Sequence, residues 1–341
     1  MAKAKNMAAE PDWSEVEESG PEQKALIQAR VVSAKEILEM TLPKTEFAIE
    51  PIVSSPGVWL VVGEQKAGKS LFAAQMALSM QAPEPLMGWY SIPRARAAMF
   101  IEQDDPSQLA AIQPILQRTK IPIRPDGFFS VEKAMFTIEP GFIEFLEGEI
   151  RGRALGVIVL DSYTVMRGPR NGRTDIVKAE ALDLGMLDEL AKRTGCLILV
   201  IHHVSKGSAS LDWSDRSAGT YAMGAHSEGQ IFISRFRDLP SNAPERLVQI
   251  RGRHVAGIEM VIRFEEETLS HSFIFEGAAA AMYPMLQQIN STFGGRTFSP
   301  KSLCQETGMS RASVHRVIAR LSASGILRKR GFGEYVIERV L

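Results

Sequence analysis

With 341 residues, 45% of them hydrophobic and 23% charged, the chain suits one large domain with a small companion and excludes a fibrous or low-complexity protein. No apolar run approaches the roughly 20 residues of a bilayer span, and the N-terminus lacks a signal-peptide core, so no membrane contact and a cytoplasmic setting are expected. The net charge is −1, and the two cysteines, Cys196 and Cys304, lie too far apart in sequence to suggest a disulfide framework.

Residues 1–22 are acidic, polar and rich in small residues, which predicts a disordered tail. An N-terminal helical segment, 23–44, follows, with a helix expected from Pro21 to Met40. From about residue 50 short apolar runs alternate with helical stretches. The runs are Gly57–Val62, Ala97–Ile101, Gly156–Leu160 and Cys196–Ile201; the helices are Lys69–Met80, Pro106–Arg118 and Ile176–Thr194. Apolar runs of this length read as buried parallel strands, and their alternation with helices predicts an open α/β sheet spanning 45–281. After Gly229 the runs Gln230–Arg235, Arg246–Arg251, Glu259–Phe264 and Ser272–Glu276 are separated by tight turns and read as antiparallel strands.

The first strand of the set runs into a loop that fits G-x-x-x-x-G-K-[ST] and then into a helix. Glycines at Gly63 and Gly68 let the backbone wrap around phosphate oxygens, and the helix N-terminus faces the same anion. Candidate nucleotide contacts are Gly63, Glu64, Gln65, Lys66, Ala67, Gly68, Lys69, Ser70 and Leu71. Lys69 reaches the β- and γ-phosphates in such a loop, and the Ser70 hydroxyl ligates Mg²⁺. The run GVIVLDS ends in Asp161, the expected carboxylate partner of that cation. AAMFIEQDDP ends in Glu102, a general-base candidate at a strand's C-terminal end, while Asp104 and Asp105 are alternatives, Asp105 better read as a helix cap. LILVIHHVSKG places His202 and His203 on opposite faces of a strand, and His203 is the candidate sensor of the γ-phosphate.

Taken together, GEQKAGKS, MFIEQDDP, VIVLDSYTVMR and GCLILVIHHVSKGS resemble the RecA-like ATPases, in the branch of the plasmid RepA hexameric replicative helicases. The resemblance implies a RecA-like P-loop NTPase core with a mostly parallel sheet, ATP as nucleotide, and a homo-oligomeric ring, a hexamer in that branch. It also implies that Glu102 is the catalytic glutamate, Asp161 the Walker B aspartate and His203 the sensor. An arginine reaching the neighbour's nucleotide is expected at Arg216, with Arg251 and Arg253 as competitors. Arg94 and Arg96, the arginines between Gly63 and Glu102, enter a strand at the end away from the crevice, so neither is an obvious candidate to supply such a cation within the same subunit.

In a ring, the loops after Asp161 and His203 would face the central hole. The first carries Arg167, Arg170 and Arg173 on flexible backbone, suited to sequence-independent phosphate contact. The second offers Lys206, and Trp213 as a stacking or anchoring group. Residues 282–341 read as a small winged-helix domain: three helices, Ser299 capping the second, and a hairpin turning near Gly331 and Gly333. From Tyr283 this tail holds nine Lys/Arg against three Asp/Glu, while residues 1–282 hold 30 against 37. Such a basic module is expected to meet DNA through Arg311 and Arg316 on the third helix and Arg328, Lys329 and Arg330 on the wing, with docking onto a protein as the alternative. The expected function is thus a Mg²⁺-dependent ATPase acting on DNA, as a ring helicase of a plasmid or mobile replicon. Alternatives are an ATP-switched loader or regulator that does not unwind, and a nucleotide-sensing assembly module.

Overall fold

The structure, a computed structural model, describes residues 32–41, 44–105, 107–132, 135–168, 173–203, 223–224 and 226–338. The chain divides into two units, Met1–Lys44 and Thr45–Leu341. In the first, helix α1 (Ala34–Glu39) is capped by Ser33, whose hydroxyl accepts from the Glu36 N–H (3.2 Å) while the Glu36 carboxylate accepts from the Ser33 N–H (2.8 Å). Of the helix expected from Pro21 to Met40, residues 21–31 lie outside the described residues; Ser33 is extended with its N–H spent on a side chain, so α1 begins after it and ends before the extended Met40. No residue of α1 is buried. The expected disordered tail, 1–22, lies outside the described residues.

In the second unit β1 (Glu46–Ile49) and β2 (Val53–Ser55) pair antiparallel in a small sheet of their own. The main sheet is built from β3 (Gly57–Gly63), β4 (Ala97–Glu102), β5 (Phe128–Ser130), β6 (Leu155–Asp161), β7 (Leu197–His203), β8 (Gly229–Arg235), β9 (Glu245–Gly252), β10 (Val255–Glu265) and β11 (Ser270–Glu276). Its spatial order is β11-β10-β9-β8-β3-β7-β6-β4-β5. The strands from β3 to β8 are parallel to their neighbours within that group, and β8 through β11 are antiparallel in succession. The reading of all four late strands as antiparallel therefore holds on one side of β8 only; its other side lies parallel to β3, making β8 the strand at which the sheet changes character.

Helices α2 (Lys69–Gln81), α3 (Leu109–Arg118), α4 (Pro140–Arg153), α5 (Tyr163–Met166) and α6 (Arg173–Thr194) connect the parallel strands. Period-two alternation splits the core. Trp59 and Val61 of β3 join Phe72, Met76 and Met80 of α2 on one face, while Val58, Leu60 and Val62 join Leu146 and Ile150 of α4 and Leu187 and Leu190 of α6 on the other. Ten consecutive residues of α2, Phe72 to Gln81, are buried, so this helix is enclosed rather than amphipathic.

Helix α3 starts at Leu109 rather than at Pro106. Asp105 Oδ1 accepts from the Ser107 N–H (2.8 Å) and hydroxyl, which holds a turn there, and Gln108 has a positive φ of 37° before the helix begins. Helix α4 and strands β1, β2 and β5 have no counterpart among the sequence-based expectations. The chain after Asp161, read as flexible loop, instead begins with α5, whose Tyr163 and Met166 are fully buried and whose Tyr163 hydroxyl donates to Asp183 (2.9 Å).

Beyond β11 a short turn leads into α7 (Tyr283–Phe293), α8 (Pro300–Thr307), α9 (Arg311–Ala323) and the hairpin of β12 (Leu327–Gly331) with β13 (Glu334–Ile337). Ser299 and Ser310 cap α8 and α9. Val314, Val317, Ile318 and Leu321 are the buried stripe of α9. This stripe belongs to a third apolar cluster that also contains Phe236, Val261 and Phe275, so the C-terminal helices pack directly against the antiparallel end of the main sheet. No helix among the described residues is long and apolar enough to cross a membrane.

Candidate active site

Parallel strands end together, and here the four ends that carry the motif residues are neighbours. In the order β3, β7, β6, β4 they deliver Gly63, His203, Asp161 and Glu102 to one edge of the sheet. The loop leaving β3 wraps tightly: Lys66 has φ 60° and Gly68 φ 98°, and Ala67 is buried with its N–H on Glu64 O (3.3 Å). Gly63 must lack a side chain, because a Cβ there would stand 2.3 Å from the Ile233 carbonyl oxygen of β8. Lys69, the first residue of α2, is buried and donates from Nζ to Glu64 O (2.8 Å). Burial lowers its pKa to about 8, against the pull of Asp161, Asp104 and Glu64. Glu64, Gln65 and Lys66 are exposed around the loop, and Ser70 and Leu71 are half-buried at the start of the helix.

Asp161 is 1% exposed, and neither of its carboxylate oxygens has a hydrogen-bond partner. Burial first, and the neighbouring Glu102 charge second, push its pKa up, while the Lys69 charge draws it back. Glu102, its register partner on β4, is also buried, and its Oε1 accepts from the backbone N–H groups of Asp104 (2.7 Å) and Asp105 (3.1 Å). Desolvation raises its pKa despite those two bonds. Asp104 then reaches across the end of β6: its Oδ1 accepts from the Ser162 hydroxyl (2.7 Å), and its Oδ2 lies 2.8 Å from Nε2 of His203. One donor atom each from Asp104, Asp161 and His203 fall within 4.8 Å of one another. His202 points to the other face, buried edge-on to Tyr163 (5.9 Å), with its pKa lowered to about 4 chiefly by burial.

Three groups that sequence reasoning missed also touch the loop. Arg235 donates to Lys66 O (2.7 Å) and Arg246 to Ala67 O (3.2 Å); they face each other across the β8–β9 register. Nε2 of buried His271, on β11, lies 3.2 Å from where a Gly68 Cβ would be. No local signal marks these residues, since each reaches the loop only through sheet pairing. Asp104 did carry a signal, a second carboxylate two residues past Glu102, but its partner on β7 lies 99 positions away.

Of the other candidates, Arg167 is exposed at the end of α5, and Arg251 and Arg253 flank Gly252 at the β9–β10 turn, with Arg253 Nη1 4.0 Å from Glu228. Arg311 and Arg316 are exposed on α9; Arg328, Lys329 and Arg330 are exposed on β12, with Arg328 paired to Glu338 (2.7 Å). Arg170, Lys206, Trp213 and Arg216 lie outside the described residues, as does the side chain of Arg173 at the start of α6.

A glycine loop joining a buried strand to a helix, with a lysine inside it and two buried carboxylates on adjacent strand ends, defines a P-loop ATPase domain of RecA-like fold. The chain belongs to the AAA domain family, whose profile matches residues 22–209, more than half of its length. Among solved structures, the ATPase domain of the protein G-40-P is similar at 9% identity and a TM-score of 0.50, over 64% of this chain and 85% of that one. At that identity the likeness is one of fold. No curated protein matches the sequence.

Proposed function

We propose that the chain is a Mg²⁺-dependent ATPase that acts on DNA as a ring-forming helicase of the plasmid RepA type, serving a plasmid or mobile replicon. The observation that carries the hydrolytic part is the meeting of Lys69, Asp161 and Glu102 over a single glycine loop. The site fits a magnesium nucleotide. Asp161 holds two buried oxygens without a partner, beside the Ser70 hydroxyl, and oxygen donors are what Mg²⁺ takes. When bound, Mg²⁺-ATP supplies the γ-phosphoryl group to be transferred to water.

Around it, each residue has one task. Lys69, which here donates to the Glu64 carbonyl, would turn to phosphate oxygens, and Ser70 and Asp161 would hold the cation. Glu102, fixed through Oε1 by two backbone N–H groups, would orient the attacking water and take its proton, and burial raises its pKa in the direction that strengthens a base. Asp104 and His203 bridge the strand ends and carry the state of the γ-phosphate to the chain that follows β7. Arg235 and Arg246 brace the loop from the same subunit; the transition-state cation is proposed to be Arg216 of a neighbouring subunit, with Arg251 and Arg253 as competitors.

Lys69→Ala should abolish turnover. Glu102→Gln should keep nucleotide binding while losing about 10²–10⁴ in rate, the range for a general base; unchanged turnover would remove Glu102 from the mechanism. Strand-displacement assays decide between a helicase and an ATP-switched loader. The loader is favoured by one observation, the exposed Arg311 and Arg316 on a helix that follows a capped turn, the arrangement of a winged helix-turn-helix that reads duplex DNA.

A further inference from the structure

At the end of the sheet opposite the P-loop, the segments that enter β4, β5, β6 and β7 surround a cavity of 480 Å³. Strands β4, β6 and β7 are six or seven residues long, so this cavity stands about 20 Å from the nucleotide site. Its charged lining is four arginines, Arg94, Arg96, Arg124 and Arg153, and one acid, Asp126. Two of the arginines are neutralised by glutamates that do not line the cavity. Arg94 pairs with Glu46 (2.9 Å), and Arg153 pairs with Glu149 (2.5 Å) while lying 4.9 Å from the centre of the Phe129 ring.

The other two have no carboxylate in ion-pair contact among the described residues. Arg124 sits exposed at the rim, where its Nη1 donates to the neutral Gln81 carbonyl (2.9 Å). Arg96 is 5% exposed, and its Nε and Nη2 are buried with no acceptor. It gains entry because Gly156 of β6 has no side chain; a Cβ there would lie 2.9 Å from that of Arg96. A buried guanidinium with unmatched N–H groups is costly to keep unless an acceptor reaches it. Guanidinium forks suit phosphate oxygens, and several of them arriving from different segments suit a tetrahedral anion better than a planar one.

We propose that this cavity is a second anion site, separate from the nucleotide site, that takes a phosphate-type oxyanion, with Arg96 as the buried anchor and Arg124 closing over it from the rim. The phosphate comes either from a free phosphate compound or from a nucleic-acid backbone; both present the same oxygens.

The test uses the full chain carrying Lys69→Ala, which weakens phosphate uptake at the P-loop, so that dependence on Arg96 and Arg124 reads the second site. Inorganic pyrophosphate is titrated by calorimetry at ionic strength held with chloride. Saturable uptake is expected, weakened at least about tenfold by Arg96→Met and severalfold by Arg124→Gln. Arg96→Met should also raise the Tm of the ligand-free protein, since it removes an unmatched buried charge; a structural arginine would lower it. If Arg96→Met fails to fold, the rim variant Arg124→Gln still reads the site. A parallel titration with oligothymidylate identifies the source. Arginine-dependent uptake of the oligonucleotide with negligible pyrophosphate uptake assigns the site to backbone phosphate, and arginine-dependent pyrophosphate uptake assigns it to free phosphates. Uptake of neither probe, or uptake indifferent to both substitutions, overturns the proposal.

Discussion

His271 stands on β11 with its carbonyl and N–H both held by the Gln75 side chain (2.8 Å each) and its ring edge-on to Phe72 (5.7 Å). Burial, reinforced by the charge of Arg246, lowers its pKa to about 3. Between pH 6.5 and 3 the unfolded chain therefore takes up a proton that the folded chain refuses, so this residue makes stability fall as pH drops through that window. His271→Leu should flatten the decline by up to about 1.4 kcal/mol per pH unit between about pH 6 and 4, read as the difference in denaturation free energy from wild type. Equal slopes would mean that His271 is not held neutral. At this same scale, the residues legible in sequence were those whose chemistry is local. Gly63, Gly68, Lys69 and Ser70 sit in one motif, and Glu102 and Asp161 each end an apolar run. The Asp104–His203 bridge and the arginines under the loop were illegible, because each depends on which strands become neighbours.

Glycines separate two kinds of element. Gly63 ends β3 against the backbone of β8, and Gly63→Ala forces those strands apart; a loss of about 1–3 kcal/mol is expected from the overpacking. Gly148 lies inside α4 with nothing within 4 Å of where a Cβ would stand, so Gly148→Ala should stabilise by up to about 1 kcal/mol through helix propensity. Thermal denaturation of both variants checks the contrast, and the same sign for the two would contradict the contact geometry. That contrast also explains which elements were readable. Strands β3, β4, β6 and β7 are buried on both faces and show as unbroken apolar runs. Helix α4 hides behind Pro140 and three glycines, although Phe142, Leu146 and Ile150 do form its buried side at four-residue spacing. Short β1, β2 and β5 carry too few residues for alternation to show.

For the whole molecule, the boundary near residue 282 has to be drawn with care. If the tail were a loosely appended module, deleting 283–341 would spare both the fold and the basal ATPase. Tyr283, Leu286 and Ile289 share an apolar cluster with Phe236, Val261 and Phe275 of the sheet side, and Arg320 donates twice to the Ala278 carbonyl (2.9 and 3.2 Å). Truncation at 282 should therefore uncover apolar surface and lower Tm, with self-association in size-exclusion chromatography as the accompanying sign. Full retention of Tm would show that the cluster contributes little.

The same cluster has a mechanical side. A module on a slack tether can grip a load without the engine feeling it, as a hook swings on a rope. Here α7 and α9 are bedded into the strands that lead, through β10, β9 and β8, to the wall of the phosphate loop. The C-terminal helices and the strands beside the phosphate loop are thus packed as one continuous body, not as two bodies joined by a slack tether.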